Sequence, residues 1–278
     1  MKAVYITEHG GAEVLQYGDQ PEPSIGPNDV KVRVRAAALN RLDVYTRVGV
    51  RGTRRKFDGN AHILGGDSAG EVVEVGSEVS QRKVGDRVVV NPRMTCGQCH
   101  PCLAGQEEFC PSAGMLGSSR SGSYAEFVGV PATSTVLLPD SLSYEQAASM
   151  PTVFLPSWNI LVRRGELKPW ETALILSASS GVGTAAIQVA KNVVGAKVIT
   201  TTSTEEKAEK ARQLGADEVI NYKEEDIVDR VKEITGGRGV DVVLDHVGAD
   251  FWPAATRSLA MGGRYGICGV TSGYRAEL

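Results

Sequence analysis

The stretch "ETALILSASSGVGTAAIQVAKNVVG", Glu171 to Gly195, decides how the chain is read. Its first part, "ETALILSAS", is a short continuous apolar run, the pattern of a strand buried on both faces. Its second part changes period. Val182, Ala186, Val189, Ala190 and Val193 recur every three or four positions and give a helix one apolar face. Between them lies "ASSGVG". Small residues at a strand-to-helix turn let the backbone close on a pyrophosphate, which the helix N-terminus attracts. Ala178 and Ser180 stand where a dinucleotide fingerprint carries glycine, and the candidate contacts are Ser180, Gly181, Val182 and Gly183. A glycine-rich helix start that serves only packing looks the same. The strand–turn–helix context favours the nucleotide reading.

Working outward toward the C-terminus, the alternation continues. Strand "KVITTT", helix "EEKAEKARQLG", strand "EVINY", helix "DIVDRVKEITGG" and strands "VDVVLDHVG" and "GRYGICG" follow in order. Strands alternating with helices imply a doubly wound parallel sheet. At the end of the second strand an acidic residue would hold the ribose 2′-hydroxyl of NAD. This chain has Thr202 and Ser203 there, with Lys207 on the next helix. Hydroxyls plus a cation suit a 2′-phosphate, so NADPH is expected in preference to NADH. The plainer alternative makes Lys207 a solvated lysine beside a Glu206–Lys210 i,i+4 pair.

Working outward toward the N-terminus, the rhythm changes before Pro151. "DVKVRVRAAALN" places Val30, Val32 and Val34 on one strand face, and "AGEVVEVG", "GDRVVV" and "SYAEFVGV" are further short apolar runs. This region, residues 1–150, reads as a small β barrel or sandwich, and residues 151–278 as the α/β domain. Two domains also suit a length of 278 residues.

With 30 basic and 33 acidic residues and a net charge of -3, nothing supports nucleic-acid binding. No apolar stretch is long enough for a bilayer, and the opening "MKAVYITEHG" has no hydrophobic signal region. A cytoplasmic location is the expectation. In a reducing compartment, clustered cysteines point to metal rather than disulfides. "CGQCHPCLAGQEEFC" holds Cys96, Cys99, Cys102 and Cys110, separated by two, two and seven residues. Three cysteines at that spacing wrap one ion from a single loop and Cys110 closes a tetrahedron, so one structural zinc is expected. The rivals are an iron–sulfur cluster and unligated core cysteines.

These features together resemble the medium-chain dehydrogenase/reductase superfamily, in its quinone oxidoreductase-like and zinc-type alcohol dehydrogenase-like branch. The carriers are the β-rich half, the four-cysteine loop, "ASSGVG", "GGDSAGEVVEVG", "VGDRV", "SYAEF" and "LGADEVINY". The resemblance covers essentially the whole chain and implies a GroES-like N-terminal domain followed by a Rossmann domain. Alcohol dehydrogenases of the family carry a catalytic zinc on Cys, His and Cys with a nearby Glu. Those positions fall here on Asn40, Gly66, Thr152 and Asp67, so no catalytic zinc is expected. The resemblance places Asn40 and Tyr45 in the nicotinamide pocket, Asn40 as a donor to a substrate carbonyl and Tyr45 to supply or orient a proton. A packed helical turn is the rival for both. Asp67 is the carboxylate of that site and Asp43 is structural. Tyr222, His246, Val247, Cys268 and Gly269 are expected to line the cofactor. His62 precedes "GGD", and a surface loop is expected for it in preference to a place near the pocket.

The expected function is NADPH-dependent hydride transfer to an activated carbonyl acceptor, such as an enone or quinone. An alcohol dehydrogenase acting on alcohols and aldehydes, or a non-catalytic crystallin-like NADPH binder, is the alternative. The resemblance also favours a homodimer or homotetramer. Because "GVTSGYRAEL" follows a strand directly, the chain is expected to be C-terminally truncated, leaving the parallel sheet with an open edge.

Overall fold

The computed structural model describes residues 1–50, 52–273 and 275–276. Arg51, Tyr274, Glu277 and Leu278 lie outside the described residues, and with them part of the closing segment to which the expectation of truncation attaches. Among the described residues no helix is long and apolar enough to cross a membrane. The chain divides into two compact units, Met1–Thr152 and a second from Val153 onward.

The first unit is built on a five-stranded antiparallel sheet. Its strands run, side by side, Thr135–Leu137, Arg87–Val90, Asp67–Val75, Asp29–Ala38 and Phe127–Pro131. The valines at alternate positions of Asp29–Ala38 do what their period requires. Val30 and Val32 are buried against Val72, Val88, Val90, Val128 and Val130, with Val34 packed at the margin. A smaller sheet joins Gln16–Asp19, Lys2–Ile6 and the two-residue strand His62–Ile63.

Register positions the site. Val30 opposes Val75 and Ala38 opposes Asp67, and two irregularities lie between them, at Lys31/Val32 and at Val34/Ala36. Asn40 therefore emerges two residues beyond the partner of Asp67. It is the N-cap of the helix Arg41–Val48, with extended φ/ψ of -125° and 160°. Gly49 ends this helix at φ 77°, where a Cβ would meet the His9 ring at 2.6 Å.

The second unit holds a five-stranded parallel sheet in the order Glu218–Asn221, Lys197–Thr202, Thr172–Ile175, Val240–Asp245, Leu259–Ile267. The first strand in sequence lies centrally and its successors spread to both sides, the doubly wound arrangement. Both faces are covered. Ala173 and Ile175 pack with Val198 and Val242 in one cluster, while Leu174 and Leu176 pack with Ile199 and Val243 in the other. Burial on both sides explains why this strand reads as a continuous apolar run. The helix Gly181–Gln188 continues as a wider π-helical turn, Val189–Val194, and stops at Gly195.

Candidate functional site

Three constellations carry chemistry. The first is the cysteine loop. Gly97 and Gly105 turn the chain at φ 71° and 69°, and Cys99 starts the short helix His100–Leu103. The Sγ atoms of Cys96, Cys99, Cys102 and Cys110 all lie within 4.8 Å of one another. Individual separations are 3.4 Å for Cys99–Cys102, 3.6 Å for Cys96–Cys110 and 3.9 Å for Cys96–Cys102. Four thiolates about 2.3 Å from one tetrahedral ion stand about 3.8 Å apart, so the loop fits a single ion. Backbone N–H groups of Cys96 and Cys99 point at sulfur, each at 3.4 Å. N–H groups of Gln98 and then Cys99 draw the Cys96 thiol down to about 6, favouring the thiolate a metal needs.

The second constellation centres on Asp67, which is fully buried. Oδ2 accepts from Asn40 Nδ2 at 2.9 Å and from the Thr152 N–H at 3.1 Å, and Oδ1 accepts from Thr152 Oγ1 at 2.7 Å. The structure thus brings Asn40, Asp67 and Thr152 together. Asn40 is anchored again through its own N–H, which donates to Asp43 Oδ2 at 2.7 Å, and Tyr124 donates to the same oxygen at 2.9 Å. Burial raises both carboxyls, that of Asp67 further through the nearby Asp43 charge, while the hydrogen bonds oppose the rise. Asp43 is structural in this sense: it caps the helix and holds its first residue in place. Tyr45 lies half-buried on the same helix, and its carbonyl accepts from Gly49, Val50 and Thr53. Tyr124 is a member of this cluster that sequence reasoning misses. Its only signal is its place in "SYAEF".

His62 corrects an expectation. It is 2% exposed, not on a surface loop, because its strand pairs with Lys2–Ile6. Nε2 donates to the Gly117 carbonyl at 3.1 Å, and Nδ1 accepts from Arg55 Nη1. Burial, and then the Arg55 charge, push its pKa down to about 4.

The third constellation is the strand-to-helix turn of the second unit. Ser177 is left-handed at φ 58°, and its N–H donates to Thr201 Oγ1 at 2.9 Å. Ser180 caps the helix, accepting from the Gly183 N–H at 2.8 Å. A Cβ at Gly183 would stand 2.2 Å from the Ser177 carbonyl oxygen, so only glycine lets helix and turn approach this closely. The helix opens with Gly181 exposed and Val182 half-buried, and the N–H groups of a first turn have no partner within the helix. His246, 8% exposed, stands with Nε2 2.6 Å from Ser180 Oγ.

Behind it, Asp245 is fully buried and accepts from the N–H groups of Val247 at 2.6 Å and Gly248 at 3.1 Å and from the Tyr265 hydroxyl. Asp245 and Tyr265 shape the loop that carries His246 and Val247. The signal for the first is the Asp-x-x-Gly pattern of "DHVG", an Asx-type turn. Gly269 packs on the His246 backbone, while Cys268 is exposed.

At the end of the second strand, Ser203 is half-buried and lies 3.4 Å from the exposed Lys207 amine. Thr202 is 3% exposed, and its hydroxyl has no partner among the described residues. Glu206 and Lys210 do pair, at 2.8 Å. Tyr222 is 37% exposed and meets Phe251 edge-on at 5.1 Å.

Comparison with known proteins agrees with this anatomy. Residues 26–140 match the alcohol dehydrogenase GroES-like domain, and residues 181–277 match the zinc-binding dehydrogenase family. The chain is 37% identical over 272 residues to a quinone oxidoreductase of Pseudomonas aeruginosa, covering 98% of this chain and 74% of that one. It is 35% identical over 286 residues to an NAD-dependent alcohol dehydrogenase of Saccharolobus solfataricus, covering 100% and 82%. The crystal structure of an NAD-dependent alcohol dehydrogenase superposes with a TM-score of 0.93 at 43% identity, covering 99% of this chain and 79% of that one. The chain belongs to the medium-chain dehydrogenase/reductase superfamily. It is an NAD(P)-dependent oxidoreductase.

Proposed function

We propose that this chain is an NADPH-dependent reductase that transfers hydride to an activated carbonyl acceptor, an enone or a quinone, without a catalytic zinc. The observation that carries the proposal is the hydrogen-bonded set Asn40–Asp67–Thr152, at the positions to which the family resemblance assigns the catalytic metal of zinc-dependent members. An amide, a hydroxyl and the bare backbone of Gly66 are poor zinc ligands, and both Asp67 oxygens are already committed to N–H and O–H donors. The donor set does not fit a catalytic zinc. The cysteine loop does fit a zinc ion, and we assign it a structural one held by Cys96, Cys99, Cys102 and Cys110, with no open position for chemistry.

The nicotinamide supplies the hydride when the cofactor is bound. The protein's task is to hold the acceptor and manage a proton. Asp67 takes one Asn40 amide hydrogen and leaves the other for the acceptor oxygen, where negative charge develops. Tyr45, on the same helix, is the proposed proton donor to the resulting enolate or alkoxide. Gly181 and Val182 offer their N–H groups to the pyrophosphate at the helix start, and Gly183, whose own N–H is taken by Ser180 Oγ, lets the turn close. Ser203 and Lys207 read the 2′-phosphate, and the orphaned Thr202 hydroxyl beside them suits a bound oxygen. Tyr222, Val247, Cys268 and Gly269 line the remaining cofactor surface.

The test is oxidation of NADPH and of NADH across a panel of enones, quinones, aldehydes and alcohols. Turnover of enones or quinones with NADPH supports the reading. Turnover confined to alcohols and aldehydes, abolished by a chelator that leaves the fold intact, overturns it.

A further inference from the structure

The second glycine of a dinucleotide fingerprint is there so that no side chain stands between backbone and pyrophosphate. Here that position is Ser180, and the question is where its hydroxyl goes. Three groups surround Oγ: the Gly183 N–H at 2.8 Å, the Ser177 carbonyl at 3.0 Å and His246 Nε2 at 2.6 Å. A hydroxyl has one hydrogen and two lone pairs. The Gly183 N–H takes one lone pair. A single assignment serves all three contacts: Oγ donates to the Ser177 carbonyl, and His246 donates from Nε2 into the second lone pair. The imidazole is then neutral with its hydrogen on Nε2, and its burial favours the neutral form.

His246 is itself fixed. It follows the last residue of the strand Val240–Asp245, and its carbonyl accepts from Thr271 Oγ1 at 3.3 Å. Gly269 passes so close that a Cβ there would meet the His246 carbonyl oxygen at 2.8 Å. The loop is tied down from below by Asp245, which holds the Val247 and Gly248 N–H groups.

From this geometry we infer that His246 is a positioning residue for the cofactor, acting through Ser180: it holds the serine hydroxyl on Gly183 and Ser177, away from the approach to the N–H groups of Gly181 and Val182. The histidine compensates for the serine that replaces glycine in the fingerprint. With every hydrogen-bonding position of Oγ filled, Ser180 is not itself a phosphate ligand. The inference rests on the nucleotide site proposed above and adds a dependence between two of its residues.

A double-mutant cycle on NADPH dissociation, read by cofactor fluorescence with the full chain, tests it. His246→Ala should weaken NADPH binding about fivefold to tenfold, the scale of one lost hydrogen bond. His246→Gln, whose amide N–H reaches the same place, should restore most of that loss. It also covers the case in which the alanine variant does not fold. In a Ser180→Gly background, where glycine still serves as an N-cap, His246→Ala should weaken binding less than about twofold relative to that background. The same fivefold to tenfold loss with and without the serine overturns the inference, because the histidine then acts on the cofactor directly. No loss from His246→Ala in the parent overturns it too. A parent chain that binds neither NADPH nor NADH overturns the nucleotide site itself, and this inference with it.

Discussion

The cysteine loop and the Asp67 cluster both lie in the first unit, yet they are encoded in opposite ways. The four cysteines fall within fifteen consecutive residues, and their spacing alone anticipates a tetrahedron whose sulfurs lie within 4.8 Å. Asn40, Asp67 and Thr152 are separated by 27 and 85 positions, and only strand register and a helix cap bring them together. A site built from one loop stays recognisable in any fold that displays the loop. A site built from three segments is recognisable only once the fold has brought them together.

Removing a cysteine should have the largest effect. Cys99→Ala leaves three thiolates, and loss of the ion should destabilise the first unit by about 5 kcal/mol or more. Elemental analysis should return one zinc per chain in the parent and none in the variant, alongside a lowered unfolding midpoint. Two zincs per parent chain would erase the contrast between the regions.

Asp67→Asn should come next, at about 4 kcal/mol. Asparagine keeps the volume but offers one carbonyl oxygen, so in either orientation its amide faces the Thr152 N–H, donor against donor, and in one of them Asn40 Nδ2 as well. If urea unfolding finds Asp67→Asn and Asn40→Ala additive, the three residues are not one unit.

A third test uses acid. His62 titrates near 6.5 when unfolded and about 4 when folded, so between those values the unfolded chain takes up a proton that the folded chain refuses. Stability should therefore fall as pH drops from about 6.5 to about 4, by about 3 kcal/mol more in the parent than in His62→Gln. Parallel stability–pH curves for the two proteins would show that the histidine network contributes no linkage. The smallest effect belongs to a locally encoded contact. Lys207→Ala should narrow the preference for NADPH over NADH about tenfold. Equal dissociation constants for the two cofactors in the parent would remove that reading.

What sequence conveys divides along the same line. The parallel sheet was legible because Thr172–Ile175 and Val240–Asp245 are apolar throughout their centres and glycines punctuate the helices between strands. The four cysteines and the Ser180–Gly183 turn were legible because each is a contiguous motif. His62 was not. Its strand is two residues long, too short for any period, and its burial depends on pairing with Tyr5 and Ile6, 56 or more positions away. Nor was Tyr124, whose hydroxyl reaches Asp43 across 81 positions. The Ser180–His246 bond joins two residues already expected near the cofactor, but nothing in either neighbourhood announces that they touch.

The two irregularities between the strands Asp29–Ala38 and Asp67–Val75 bear on all of this through parity. Lys31 pairs with Glu74 but Val32 pairs with Val72, which leaves Val73 as an extra residue on one strand. Val34 pairs with Gly70 but Ala36 pairs with Ala69, which leaves Arg35 as an extra residue on the other. The two offsets cancel before the site, and Ala38 meets Asp67 in the register with which Val30 meets Val75. A side chain in a strand has only two directions, and a single uncancelled offset would exchange them from that point on. Asp67 would then turn away from Asn40 with its own sequence neighbourhood unchanged. Deleting Arg35 or Val73 alone should invert this parity, while deleting both should preserve it, and the melting temperatures of the three deletions would report which. The two bulges form a matched pair, and the orientation of Asp67 toward Asn40 depends on their remaining matched.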